Sequence, residues 1–451
     1  MKDIMPKTFS QIKIFEKVFR FKSEIIWTIM GQLGVMTAGV MGIKLLTQAL
    51  PPLEFGRFAL ANTFVLLIGT NLFGPVGQGL MRFWSIADER KEMSDFSDLS
   101  KKIIQRFSFW TICFGASLVI ILFFFKDLAW AILFSVSVIN GVLSGCSIVL
   151  LSILMAARER KTIAIINICT SFAKPLAGLL FIYIFSADAS NVLFGYLIVL
   201  CVTVFVSKNY FDKKVLERVL LNPVKIFENK YSMHLKIELF AFTWPFYIWG
   251  IFGWMHQSCD RWALQSFHGA DVVGAFFVVS QLSVYPLVAG SSFLSAFFTP
   301  IAYQRAGKLS LEDDFKSANK IISMMSGLYI IGAVLLILLY SFFHRWLILT
   351  ISSEQYTVYS GLLPWLTGVW ALYYLGQMVS GFGLLANKPV LYMAPIITSG
   401  SLASVLTFLL SSKYGVIGVV WGLGISSFVY AIWFSSIAVF LIRKKKHVST
   451  I

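Results

Sequence analysis

The sequence predicts an all-α integral membrane protein with twelve transmembrane helices in two six-helix lobes, related by a pseudo-twofold axis along the membrane normal. Three observations predict this fold. The 451-residue chain is 57% hydrophobic and 13% charged, whereas about 25% of the residues are charged in soluble proteins. Its apolar runs are about 20 residues long, which is the length of a membrane-spanning helix and too long for barrel strands. Its two halves also resemble each other at a constant spacing.

The apolar runs predict the individual spans in order, because each is long enough to cross the hydrocarbon core as a helix. The predicted spans are 25–49, 58–80, 103–125, 128–155, 163–185, 189–207, 239–260, 272–300, 321–343, 358–385, 390–411 and 415–442.

The distribution of basic residues predicts the orientation of these spans. Of the 38 lysines and arginines, 31 lie in the two tails or in the even-numbered connections between spans. Because cytoplasmic loops carry the excess of Lys and Arg, both termini are expected in the cytoplasm. The opposite side carries five basic residues: Arg57, Lys126, Arg261, Arg345 and Lys413. Orientation and contact with anionic lipid account for most of the net charge of +16, so a nucleic-acid partner is not expected.

The longest connection divides the chain into five predicted regions. They are a basic N-terminal tail (1–23) with an amphipathic pattern that fits an interfacial helix, an N-lobe (24–207), a basic cytoplasmic linker (208–238), a C-lobe (239–442) and a basic C-terminal tail (443–451).

An internal repeat supports the division into two lobes. Comparing each residue with the one 218 positions later matches Gly56 with Gly274 and Phe58 with Phe276, and the same spacing relates "KII" at 102–104 to "KII" at 320–322. Each lobe has six spans, so both lobes share one orientation in the membrane. Parallel repeats of this kind are typical of transporters that alternate access around a central site.

One lysine lies where a membrane helix should avoid it. Lys174 is near the middle of the run from Ile163 to Phe185, followed directly by Pro175, and no acidic residue is predicted at its depth. Snorkelling to the interface or a buried ion pair are the alternatives. We favour a water-filled cavity, because a polar stripe on the same helical face leads to the lysine. The stripe contains Asn167, Thr170 and Ser171.

Two further groups of residues are candidates for the same cavity. Lys44 lies near the outer end of the first span on one face with Thr37 and Gln48, where snorkelling is an equal alternative. The seventh span places amide, guanidinium and aromatic groups on one face, which suits sugars and phosphates. That face contains Thr243, Tyr247, Gly250, Trp254, Gln257 and Arg261. The alternative for the seventh span is an interfacial aromatic belt with Asp260 and Arg261 paired locally. Pro175 and Pro245 are expected to act as hinges.

Two segments resemble a known family. The turn "LLTQALPPLEFGRFAL" (45–60) and the stretch "WMHQSCDRWALQSFHGADVVGAFFVVSQL" (254–282) are similar to the openings of the two halves in polysaccharide-type lipid flippases. These belong to the exporter superfamily that also contains the multidrug and toxic compound extrusion antiporters and the lipid II flippases. The resemblance implies two six-helix lobes in a V and a transporter, not an enzyme, that moves polyprenyl-diphosphate-linked oligosaccharide units of O-antigen or other exopolysaccharides to the outer leaflet.

The resemblance also sets the remaining expectations. We expect a monomer in the inner cell membrane, in contact with membrane lipids and working with polysaccharide assembly proteins, without a cofactor or a metal site, and with coupling to a proton or sodium gradient left open. The alternatives are a multidrug or cation antiporter on the same fold and a lipid II-type flippase. The antiporter is disfavoured because it requires an acidic residue within the membrane, whereas the isolated charges here are basic. A membrane enzyme or a passive channel is disfavoured by the short outer loops and by the repeat with its kinked helices.

Overall fold

The computed structural model describes residues 7–125, 127–221, 231–306, 312–381 and 389–448. Within these ranges the chain is built of helices: α1 (Lys7–Ala49), α2 (Pro52–Leu66), α3 (Phe73–Arg90), α4 (Met93–Phe125), α5 (Leu128–Ala156), α6 (Arg160–Ile184), α7 (Ala189–Leu221), α8 (Tyr231–His268), α9 (Ala270–Ala306), α10 (Glu312–Ile351), α11 (Leu363–Val379) and α12 (Met393–Val448). Parts of the predicted tails and linker, at 1–6, 222–230 and 449–451, lie outside the described residues.

The helices account for the twelve predicted spans. Nine segments of the described chain are long and apolar enough to cross a membrane. One of them, Val390–Leu441, contains two spans because Gly415 has a φ of 63° and breaks the helical path of α12. The 38-residue helix α8 and the shorter α11 provide the other two spans. The predicted all-helical, twelve-span membrane fold is therefore confirmed.

The second span is longer than predicted and contains an irregular turn. A π-helical turn at Leu67–Leu72 joins α2 to α3, so this span runs from Pro52 to Arg90. Proline suits the first turn of α2 because the missing N–H would have no intrahelical partner there. A π-turn widens the backbone locally and is frequent at functional positions.

The most extensive helix packing lies within α1–α7 or within α8–α12, except for the pair α2 and α9. On the N-terminal side α1 packs on α6, and α5 and α6 pack on α7. On the C-terminal side α8 and α11 pack on α12, and α9 packs on α10. The two groups also meet through α1 with α9 and through α3 with α8.

The crossing of α2 and α9 shows the internal symmetry directly. A Cβ atom on Gly56 would lie 1.7 Å from the carbonyl oxygen of Ala270, and a Cβ atom on Gly274 would lie 2.1 Å from that of Pro52. These four residues form two pairs, Pro52 with Ala270 and Gly56 with Gly274, each separated by 218 positions. The repeat therefore places equivalent residues face to face, and both glycines are required because the two backbones touch.

Candidate functional site

Lys174 lies on α6, which packs against α1 and α7. Its side chain is half-buried, and its ammonium nitrogen lies 5.9 Å from the centre of the Tyr196 ring on α7. Among the described residues, no carboxylate oxygen lies within 4.0 Å of this nitrogen. A cation over an aromatic ring gains electrostatic energy, but much less than the cost of removing an ammonium from water without a counter-ion. Lys174 is therefore a basic group whose charge the described part of the protein does not neutralise.

Two tyrosines connect Lys174 to the C-terminal half. The Tyr196 ring meets the Phe58 ring edge-on at 5.7 Å, and its hydroxyl is close enough to that of Tyr285 on α9 for the two to interact electrostatically. The Tyr285 ring packs against α1, where a Cβ atom on Gly39 would lie 3.0 Å from it. Tyr285 is in turn within electrostatic reach of Arg261 on α8. We call Lys174, Tyr196, Tyr285 and Arg261 the central cluster.

Arg261 is buried, with 4% of its surface exposed. Its Nη2 donates to the carbonyl oxygen of Gln257 at 2.6 Å, and its Nε lies 3.4 Å from Oδ1 of the neighbouring Asp260. The guanidinium carbon lies 5.1 Å from the centre of the Phe277 ring, and Nη1 is buried with no hydrogen-bond partner among the described residues. The local pair of Asp260 and Arg261 is thus present, and one donor remains for a further acceptor. A ligand contact at Arg261 stays a prediction.

The polar stripe of α6 divides between two neighbours. The Thr170 hydroxyl lies 2.8 Å from that of Thr203 on α7, so it is engaged in packing between helices. Asn167 and Ser171 are half-buried on the same side of the helix as Lys174. The adjacent face of α6 packs against α1, where a Cβ atom on Gly42 would lie 3.4 Å from Pro175.

Neither predicted hinge proline interrupts its helix. Pro175 is buried within α6, which is continuous over 25 residues, and Pro245 lies within the continuous helix α8. A hinge role for either proline stays a prediction.

Lys44 stands apart from the central cluster. The side chains of Lys44, Thr37 and Gln48 are all exposed. They continue an exposed stripe of α1 whose inner part is apolar, with Ile26, Met30 and Leu33. No hydrogen bond, ion pair or ring contact links Lys44 to the described part of the central cluster. Its position near the C-terminal end of α1 suits a lysine whose ammonium group reaches the membrane interface.

The predicted polar face of α8 packs mainly against the N-terminal half. The Trp254 indole donates to the carbonyl oxygen of Thr63 at 2.7 Å, just before the π-turn. The Tyr247 ring lies 6.3 Å from the Phe107 ring of α4, and the Thr243 methyl group lies against Gly79 of α3. Gln257 instead turns into the C-terminal half, where its Nε2 lies 3.4 Å from the Tyr373 hydroxyl.

Sequence reasoning missed Tyr196 and Tyr285. Each is a single tyrosine in an apolar run, and no spacing marks either as functional. Their one sequence signal is an aromatic hydroxyl within a span, and such a group usually finds a polar partner when buried. No group of His, Cys, Asp or Glu side chains that could hold a metal ion occurs within the described ranges.

Solved structures of other membrane proteins share this fold. The sequence matches no protein-family model and no curated protein, but solved structures match nearly the whole chain. The lipid II flippase MurJ in an inward closed conformation superposes with a TM-score of 0.62 and 14% identity, covering 91% of this chain and 86% of MurJ. The eukaryotic MATE transporter AtDTX14 gives a TM-score of 0.62 and 12% identity, covering 95% and 98%. A multidrug resistance MATE transporter of the MOP superfamily in an inward-facing conformation gives 0.56 and 14%, covering 93% and 96%.

Proposed function

We propose that this protein is a flippase that moves polyprenyl-diphosphate-linked oligosaccharide repeat units from the inner to the outer leaflet by alternating access. The observation that carries the proposal is Lys174, a basic residue near the middle of a span that has no carboxylate partner among the described residues. Its neighbours in the central cluster, Tyr196 and Tyr285, add hydroxyl donors. Such groups match the oxygens of a diphosphate, which accept charge-assisted hydrogen bonds.

The position of the cluster between the two halves fits this task. A diphosphate-sugar headgroup cannot enter hydrocarbon unaided, because each unpaired charge costs several kcal/mol there, on the order of 3 or more. The helices α6 and α7 of one half and α8 and α9 of the other contribute the side chains of the cluster. The cluster could hold the diphosphate while the lipid tail remains in the bilayer. Rocking of the halves about the α2–α9 crossing would then expose the cluster to each side in turn.

A multidrug or cation antiporter is the second candidate, because MATE transporters share the fold. An antiporter for cations requires an acidic group that the cation can reach. The described acid closest to the cluster, Asp260, is 1% exposed and is already paired with Arg261, so the charge available to a ligand is positive. A lipid II-type flippase shares the diphosphate chemistry and differs only in the group that is attached to it.

Location and partners follow from the same proposal. The basic tails and even-numbered connections support a location of both termini in the cytoplasm, with the protein in the inner membrane. The protein would act as a monomer that hands its cargo to polysaccharide assembly proteins on the outer side.

The proposal is tested by reconstituting the full chain in liposomes that contain a polyprenyl-diphosphate-linked oligosaccharide. Membrane-impermeant periodate added outside oxidises only sugars that face outward. Protein-dependent oxidation of the inner-leaflet pool is expected, beyond that of protein-free liposomes. Equal oxidation with and without protein, together with protein-dependent export of a cationic dye, would replace the flippase with the antiporter.

A further inference from the structure

A histidine that is not part of the central cluster is buried in the C-terminal half. His256 on α8 is 1% exposed. Its Nε2 lies 3.1 Å from the Ser427 hydroxyl of α12, and its ring stacks on the Tyr373 ring of α11 at 4.5 Å. Its Nδ1 is buried without a hydrogen-bond partner among the described residues. The imidazole therefore sits where three helices meet, with one nitrogen engaged and the other unsatisfied.

Few of the surrounding groups can change charge near neutral pH. From α11 the ring faces Tyr373 and Trp370, and from α12 it faces Tyr430 at 6.3 Å. The Ser399 carbonyl also lies within reach of the ring. Tyrosines ordinarily titrate near pH 10, whereas histidine titrates between about pH 5 and 8.

Within the described parts of the three helices that meet at the ring, the charged group nearest to it lies on its own helix. The helix α11 has no charged residue, and the charged residues of α12 are Lys413 and those of its last turns. On α8 the Asp260 carboxylate lies one turn from His256 and is held by Arg261. Of the groups that face this junction from the three helices, His256 is therefore the one whose ordinary pKa lies closest to neutral pH.

A polar path leads from this junction to the end of α11. The Tyr373 hydroxyl interacts with Gln257 and Gln377, and Gln377 lines a cavity of about 130 Å³ that extends to Ser380 and Gly381. A cavity of this volume is large enough to hold several water molecules. Water and side-chain hydroxyls along this path could carry a proton between the end of α11 and the histidine.

We propose that His256 is a proton-binding site and that its protonation loosens the packing of α8 on α11 and α12. An imidazolium has two N–H donors and a full positive charge. The Ser427 hydroxyl and the Ser399 carbonyl are neutral acceptors, and no carboxylate faces the charge from α11 or α12. The charged form is therefore disfavoured in this arrangement and favours one in which α8 has moved.

The same helix also holds the two halves together. Two residues before His256, the Trp254 indole binds the carbonyl oxygen of Thr63, and one and a half turns after it the Trp262 indole lies 3.1 Å from the Thr63 hydroxyl. Movement of α8 would change both contacts with α2. Proton binding at His256 would thus bias the equilibrium between the conformations of the transporter. This pH-dependent shift between conformations is independent of the proposed function. Only its use to drive the transport of cargo rests on that function.

The test measures conformation and needs no substrate, so its failure is distinct from a failure of the flipping assay. Spin labels at Asp188 and Val358, both exposed, report the distance between the outer ends of the two halves by electron–electron double resonance. The labelled chain has its exposed cysteines replaced by serine, namely Cys113, Cys169 and Cys201. Between pH 8 and pH 5.5 the ratio of the distance populations should change by about fivefold or more, the lower end of typical coupling between sites.

Two variants on α8 decide the outcome. His256→Gln should remove the pH dependence, whereas the control His268→Gln should keep it, because His268 is the last residue of the helix and is only partly buried. If His256→Gln does not fold, His256→Phe takes its place, since it keeps a planar ring against Tyr373. A wild-type distance that ignores pH, or a pH shift that survives in the His256 variant, would overturn the proposal.

Discussion

The substitution Lys174→Met should have opposite effects on stability and on transport. Methionine keeps a long, flexible side chain and removes the charge. The charge gains about 0.5–2 kcal/mol from the Tyr196 ring, but a lysine at the centre of a membrane helix costs about 2.5–3.5 kcal/mol on insertion scales. Since no carboxylate among the described residues offsets that cost, the variant should be more stable than the wild type by about 0.5–3 kcal/mol.

Transport should fall steeply in the same variant. A hydrogen bond from an ammonium group to a phosphate oxygen contributes about 1.5–3 kcal/mol, which is a factor of about 10 to 150 in affinity. At cargo concentrations below saturation, the flipping rate in the liposome assay should fall by the same factor. Lys174→Arg should recover part of the rate, because it keeps the charge and the donors.

The assay pairs thermal unfolding of the purified protein with flipping in liposomes. Lys413→Met is the control, because Lys413 is exposed in the turn before Gly415. In this control variant the free energy of unfolding should change by no more than about 0.5 kcal/mol and the flipping rate by no more than about twofold. A Lys174→Met variant that flips at the wild-type rate would refute the role of Lys174. A variant that unfolds several degrees earlier would show that the lysine serves the fold.

Three further substitutions test other parts of the account. Gly274→Ala should prevent correct assembly of the α2–α9 crossing, because its Cβ would lie 2.1 Å from the carbonyl oxygen of Pro52. The yield of monodisperse protein on size-exclusion chromatography should fall sharply. The control Gly327→Ala should leave the yield unchanged, because its Cβ would meet nothing within 4 Å. Trp254→Phe removes the donor to the Thr63 carbonyl oxygen and should lower the free energy of unfolding by about 1–3 kcal/mol, and an unchanged unfolding transition would contradict the contact. Tyr196→Phe keeps the ring beside Lys174 and removes the hydroxyl. The unfolding temperature should therefore stay the same while the flipping rate falls about threefold to tenfold. A wild-type flipping rate would show that Tyr196 does not contact the cargo.

The span count and the internal symmetry could be predicted from the sequence because both are visible as simple patterns along the chain. Each span needs an apolar run of sufficient length, and the repeat needs only a constant spacing. The pairing of Gly56 with Gly274 rested on a few identities, and the structure places these residues in contact at the crossing of α2 and α9.

The orientation of each helix about its own axis could not be read in the same way. In a soluble protein a polar face turns to water, but in a membrane protein the face of α8 with Tyr247 and Trp254 suits a cavity, an interface belt or a contact between halves equally well. The structure shows that these residues contact the N-terminal half. Tyr196 and Tyr285 escaped notice for a related reason, since their proximity depends on how α7 and α9 meet in space.

The central claim is that a positive charge within the membrane holds an anionic headgroup. The most direct test is equilibrium binding to the purified protein of undecaprenyl diphosphate and of the lipophilic cation tetraphenylphosphonium, with the wild type and Lys174→Met compared by native mass spectrometry. The account predicts that the diphosphate lipid binds the wild type about tenfold or more tightly than the variant and that the cation binds neither. Equal binding of the diphosphate lipid to both proteins, or preferential binding of the cation, would contradict it.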